Sequence, residues 1–269
     1  MEQEYIDIDY FESSKLLIER AKKRNSEFHL HCQEFLRKLS HDVIRIIDGK
    51  SGDFVIKFRF HQRIPKDLYL DASEIISLFR EALDHSICDS IRFLGKSPGH
   101  AAFPIGDAHD TYEKSIKSKC KNVHPDILSL IRETKAYRGG NDFLYEICER
   151  NNKKKHNRIL SLSANQIGFL IDFSKTNIEI PHTALRDVPI NKWCETRNEL
   201  EIFRCGPGAR GSIDFIPNLD IRIRDSGPHL SGSAHVVFEK FSQEVEKIVF
   251  DIEKETKRIS EINESNDPQ

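Results

Sequence analysis

Two periodicities divide this chain, and together they limit the architectures open to it. Up to about residue 157, apolar side chains recur at steps of three and four, as in amphipathic helices. From 159 to 223 they come in short runs bounded by turn residues, as in strands. From 234 to 263 the helical spacing returns. Elements segregated in this way predict an α+β fold. Nothing between the short runs is long enough for a parallel crossover, so the sheet is expected to be antiparallel.

A first helix is predicted over 13–47, where Phe28, Cys32, Phe35, Leu36, Leu39, Val43, Ile46 and Ile47 share helical spacing. Turn chemistry at 48–53 stops it. Phe54, Ile56, Phe58 and Phe60 then alternate with Lys57 and Arg59, a half-buried strand. Residues 70–94 form the clearest helix, with Asp71 or Ser73 as cap, Ile75, Ile76, Phe79, Leu83, Ile87, Ile91 and Leu94 as stripe, and Gly95 as stop. A loop covers 95–110. Helical spacing over 111–135 breaks near His124-Pro125, and Asn141 or Asp142 caps a helix that frays at Asn151-Asn152. Strands are expected at 159–162, 167–173, 177–180, 200–203, 213–216 and 221–223. This order gives a helical region over 1–158 with one strand near 54–60, a β region over 159–225, and a helix over 234–263 that packs back on the helical region. Both terminal helices are expected to bury their stripes against 70–94.

Charge narrows the partners. Lys plus Arg is 41 and Asp plus Glu is 43 in 269 residues, so no global basic field gathers nucleic acid, and a polyanion must be met by a local patch. The six cysteines form no C-x-x-C pair, and the N-terminus is acidic rather than basic-then-apolar. Reduced thiols and a cytoplasmic location are expected. No apolar run reaches the ~18–20 residues of a membrane-spanning helix.

The chemistry-bearing segment is Phe79-Arg80-Glu81-Ala82-Leu83-Asp84-His85-Ser86. Metal-free RNA cleavage needs a base near neutral pKa and a fixed cation for phosphorane charge, which His85 and Arg80 would supply. Asp84 stands four residues after Arg80 and can fork to its guanidinium, or orient the imidazole. On a regular helix Arg80 and His85 lie about 140° apart. One straight helix therefore cannot aim both at one phosphate. Either the helix distorts or two protomers each contribute one residue. The plain alternative is an intrahelical ion pair of Arg80 with Asp84 and a His85 that hydrogen-bonds Glu81.

Arg80-x4-His85 resembles the R-x4–6-H motif of the HEPN superfamily, helical-bundle proteins many of which are metal-independent RNases. Phe103-Pro104-Ile105 and Lys154-Lys155-His156-Asn157-Arg158 extend the resemblance to a group of uncharacterised bacterial proteins, over roughly residues 54–162. Asn157, inserted between His156 and Arg158, departs from that pattern. The resemblance implies a HEPN-like bundle, an RNA-cleaving or RNA-binding activity with a toxin or defence role, a homodimer with a composite site, and no cofactor. Arg80, Asp84, His85 and His156 would then be catalytic, with Lys154, Lys155 and Arg158 on substrate phosphate.

The basic run at 152–158 is the strongest local cation cluster, though cations at a helix end also suit the macrodipole. Residues 205–212, Cys-Gly-Pro-Gly-Ala-Arg-Gly-Ser, lack the order of a phosphate loop and read as a hairpin turn. His100, His109, His124 and His182 show no metal-ligand spacing, and His29 and His31 point to different helix faces. Trp193 and Cys194 read as packing residues. The rival to an RNA-directed protein is a non-catalytic module that meets a protein partner through its sheet.

Overall fold

The computed structural model describes residues 10–156, 160–171, 177–181, 192–212, 215–224 and 227–265. In chain order these form α1 (Glu12–Lys38), β1 (His41–Ile47), β2 (Phe54–Phe60), α2 (Lys66–Phe93), α3 (His109–Lys119), α4 (Pro125–Glu133), α5 (Asp142–His156), β3 (Leu162–Ile171), β4 (Asn177–Glu179), β5 (Lys192–Cys194), β6 (Glu199–Cys205), β7 (Arg210–Ser212), β8 (Phe215–Ile223) and α6 (Ala234–Ser265). The fold is mixed α+β, and its strands pair antiparallel. Among the described residues no helix is long and apolar enough to cross a membrane.

The chain divides into two compact units. One holds residues 1–28, 70–160 and 226–269, and the other holds 29–69 and 161–225. In the first, α2 is the central element. Its stripe of Ile75, Phe79, Leu83 and Ile87 is fully buried. Phe79 meets Phe241 of α6 edge-on at 5.3 Å, and Phe143 of α5 lies 6.5 Å from the same ring. Arg24 of α1 reaches Asp71 at 2.8 Å and Glu74 at 2.7 Å. Lys15 pairs with Glu253 at 2.9 Å, and Lys22 with Glu246, so α1 and α6 run antiparallel. Both terminal helices thus pack on α2, as their stripes require.

In the second unit a four-stranded sheet runs β1-β2-β6-β5. Phe54, Ile56, Phe58 and Phe60 of β2 are buried with Leu200, Ile202, Cys205 and Ala209. Lys57 and Arg59 turn the other way, toward the buried Glu199, with Arg59 at 2.7 Å. Two further pairs, β3-β8 and β4-β7, complete the described strands. The β4-β7 pair depends on Gly211, where an added Cβ would sit 2.0 Å from the Asn177 carbonyl oxygen.

Several boundaries differ from the sequence reading. The first helix stops at Lys38, and 41–47 pair with β2 as a strand. Leu39, Val43 and Ile46 satisfy a helical spacing, but Val43-Ile44-Arg45-Ile46-Ile47 is rich in β-branched residues, and pairing with an apolar neighbour decides. α2 begins one turn earlier than expected, just after Pro65, so Asp71 and Ser73 are interior residues rather than caps. α5 runs through Asn151-Asn152 to His156. Residues 215–223 form one strand through Pro217, which a two-stranded ladder tolerates at an edge. Strands β5 and β7 have no counterpart in the prediction, and the turn at 206–209 leads to β7, which pairs with β4 rather than closing a hairpin. Residues 159, 172–173 and 213–214 of the expected strands lie outside the described residues.

Candidate functional site

Two polar stripes run along opposite edges of the α2 core face. The first is Ser73, Ser77, Arg80, Asp84 and Cys88, spaced by four, three, four and four. Each of these side chains holds a neighbouring segment. Ser73 Oγ accepts the Leu160 amide at 3.0 Å, and Ser77 Oγ donates to Asn151 Oδ1 at 2.9 Å. Arg80 Nη2 lies 2.9 Å from Asp84 Oδ1 and donates to the Phe103 carbonyl at 2.5 Å. The Phe103 amide donates to the same Asp84 oxygen at 2.8 Å. Cys88 Sγ donates to the Ala101 carbonyl at 3.4 Å, and Cys120 Sγ to the Ala102 carbonyl at 3.7 Å.

The backbone of 101–103 is therefore clasped at three successive carbonyls, and both polar groups of Phe103 are taken by one ion pair. The guanidinium carbon also stands 5.5 Å from the Phe103 ring centroid, within cation–π range. Arg80 is 2% exposed, which is decisive for its role: the cation is sealed in rather than presented to solvent. Burial pushes the Cys120 thiol up to about 12 and the Cys148 thiol up to about 11, so both remain protonated near neutral pH. For Cys148 the neighbouring Arg80 charge opposes that rise. These thiols are packing groups and weak donors, with no nucleophilic character.

The clasped loop leads into Gly106, whose amide donates to the Ala136 carbonyl at 3.2 Å. A Cβ at Gly106 would lie 2.3 Å from the Tyr112 nitrogen, which belongs to the fixed first turn of α3. Gly106→Ala should lower unfolding free energy by about 1–3 kcal/mol, as overpacking does, read from denaturant midpoints. An unchanged midpoint would mean that the loop is looser than this contact implies.

The second stripe is His85, Asp89 and Arg92, which faces the start of α1. His85 is exposed, and its Nδ1 lies 3.0 Å from Ser13 Oγ. Ser13 and Ser14 donate to Asp89 Oδ2 at 3.3 and 3.2 Å, and Arg92 donates to Asp89 Oδ1 at 2.9 Å. With Ser13 donating to Asp89, the imidazole N–H donates to Ser13. Asp89 is 2% exposed, and burial raises its carboxyl pKa despite the hydroxyls and Arg92. A raised folded-state pKa means a contribution to stability that is full below the ordinary Asp range and lost as pH rises through the raised value. Asp89→Asn should remove that dependence. Its melting temperature relative to wild type should improve from pH 4 to pH 7, and a constant difference would refute the assignment.

The sequence-predicted residues are thus separated. Arg80 and Asp84 face the 101–103 loop, while His85 faces Ser13 on the other edge. α2 is unbroken from Lys66 to Phe93, so no distortion brings the pair together. The side chains of Lys154, Lys155, His156 and Arg158 lie outside the described residues. Sequence reasoning missed Ser77, Asn151, Ser13 and Asp89. The 4-3-4-4 spacing of polar residues beside an apolar stripe was a visible signal of the first set. Among the described residues no group of three or more His, Cys, Asp or Glu could hold a metal ion. No family model matches the chain, and neither a curated protein nor a solved structure matches it.

Proposed function

We propose that this chain is an RNA-binding protein of HEPN-like character that does not cleave through Arg80 and His85. The observation that carries the second half is the burial of Arg80, with its Nη2 committed to Asp84 and the Phe103 carbonyl. A sealed guanidinium cannot stabilise charge on a substrate phosphate, either in its own protomer or across a dimer. His85 is exposed and bonded to Ser13, and the cation on its own stripe, Arg92, is paired with Asp89.

The binding half rests on the run Lys153-Lys154-Lys155-His156-Asn157-Arg158. Cys148 lies against Arg80 and Asn151 against Ser77, so α5 runs antiparallel to α2 at this point, and Leu160 is held at Ser73. The run begins two residues after Asn151 in sequence. Four cations in six residues can neutralise several phosphates without any global basic field. A homodimer remains compatible with this reading but is not needed for it.

Fluorescence anisotropy with labelled single-stranded RNA tests the binding. Saturable binding at low salt that weakens linearly with log salt is expected. Absence of binding at low salt would remove the RNA reading and favour a protein-interaction module.

A further inference from the structure

A serine, a histidine and an aspartate meet at the open end of the β1–β2 ladder. Ser40 immediately precedes β1 and Asp42 stands two residues on, so their side chains share one face of the strand. His61 follows β2 and lies across from Ser40, with its amide donating to the Ser40 carbonyl at 3.0 Å. Ser40 Oγ lies 3.1 Å from His61 Nδ1, and His61 Nε2 lies 3.1 Å from Asp42 Oδ2. All three side chains are exposed. An ionised carboxylate only accepts, so Asp42 holds the ring proton on Nε2 and leaves Nδ1 to accept from Ser40. The order is hydroxyl, imidazole, carboxylate, as for a nucleophilic serine, with the two ring nitrogens exchanged relative to the usual triad. The cluster of Ser13, His85 and Asp89 lacks this order, because there the carboxylate takes the serine proton itself.

Two donors flank the Ser40 hydroxyl. Gln62 Nε2 lies 3.3 Å from Ser40 Oγ, while Gln62 Oε1 accepts the Ser40 amide at 3.1 Å and stands 3.3 Å from the hydroxyl. The second donor is the His41 amide. Ser40 and His61 are a hydrogen-bonded cross-strand pair, so the next residue directs its amide away from β2. β1 is the outer strand among the described strands of its sheet, so that amide faces the sheet edge. We propose that Ser40, His61 and Asp42 form an acyl-transfer site that hydrolyses small carboxylic esters. As Ser40 Oγ bonds to the ester carbon, its proton passes to His61 Nδ1. The carbonyl electron pair moves onto oxygen, beside Gln62 Nε2 and the His41 amide. The carbon–oxygen bond to the alcohol then breaks, and the alcohol leaves with the Nδ1 proton. Water repeats both steps on the acyl-serine, yielding the acid and restoring Ser40. Asp42 is a positioning residue that acts through the imidazole. Solvent screens its pairing with His61, so the site suits esters of good leaving groups, such as phenols, rather than amides. This chemistry is independent of RNA binding.

The full chain is treated with a fluorophosphonate probe and mapped by mass spectrometry, and its hydrolysis of 4-nitrophenyl acetate is followed in parallel. One adduct, on Ser40, is expected. Ser40→Ala should lose the adduct, and Ser40→Ala and His61→Ala should each lower kcat/KM by at least about tenfold. Asp42→Asn should lower kcat with KM held, and Asp42→Glu should recover part of the rate. The three positions are exposed, so melting temperatures should hold in every variant. An unlabelled Ser40 would overturn the proposal. So would a Ser40→Ala variant that hydrolyses the ester as fast as wild type, since free imidazoles would then be doing the hydrolysis.

Discussion

Arg80→Ala should cost the chain about 3 kcal/mol of unfolding free energy, while His85→Ala should fold with nearly wild-type stability. Arg80 joins Asp84, the Phe103 carbonyl and the Phe103 ring, and all of this lies inside the helical unit. Removing the guanidinium leaves a carboxylate and a loop carbonyl without their cation. Breaking one side of a buried ion pair typically costs about 3–5 kcal/mol. Asp84 keeps a quarter of its side chain exposed, which places the expected loss near the lower end of that range. A domain stable by only about 5–15 kcal/mol feels such a loss severely. His85 gives up one exposed hydrogen bond to Ser13, within about 1 kcal/mol. Urea unfolding of both variants measures this directly. An Arg80→Ala protein with an unchanged urea midpoint would contradict the clasp.

The second large effect concerns the basic run. Replacing Lys153, Lys154 and Lys155 together by alanine should weaken binding to single-stranded RNA by at least about tenfold at low salt. It should also flatten the salt dependence. Each phosphate contact contributes about 0.7 to the slope of log affinity against log salt on a single strand, so losing three should reduce the slope by roughly 2. These residues close α5, so circular dichroism should accompany the titration, and helix content should hold because alanine favours helix. An unaltered slope in a folded variant would place the RNA contacts elsewhere.

Much of the architecture was legible because single elements carry strong patterns. The α2 stripe and the alternating phenylalanines of β2 bury the residues that their spacing selects. Gly95, with φ of 73°, ends α2 in the left-handed turn that its position suggested. The strand at 41–47 was not legible, because its apolar residues fit both periods and only pairing with β2 separates them. The β region was harder still. Pro217 looks like a break inside β8, and the three residues each of β5 and β7 are too few to show a period.

The candidate site was half legible. The spacing let Asp84 reach either Arg80 or the imidazole, and it meets Arg80 at 2.9 Å. Their shared partner could not be foreseen, because the Phe103 amide and carbonyl have no side-chain signature. An intrahelical pair on the surface would be worth a few tenths of a kcal/mol, whereas this one is closed over by a loop. The partner of His85 was also hidden. Ser13 lies 72 residues away, and only the antiparallel docking of α1 on α2 brings it near.

The most direct measurement combines binding and chemistry in one sample. Labelled single-stranded RNA is titrated with the full chain at low salt, its anisotropy is followed, and the RNA is then recovered on a denaturing gel after prolonged incubation, for wild type and for His85→Ala. Saturable binding by both proteins, with RNA recovered intact from both, is the predicted result. RNA cut by wild type and spared by His85→Ala would contradict the central claim and return His85 to a catalytic role.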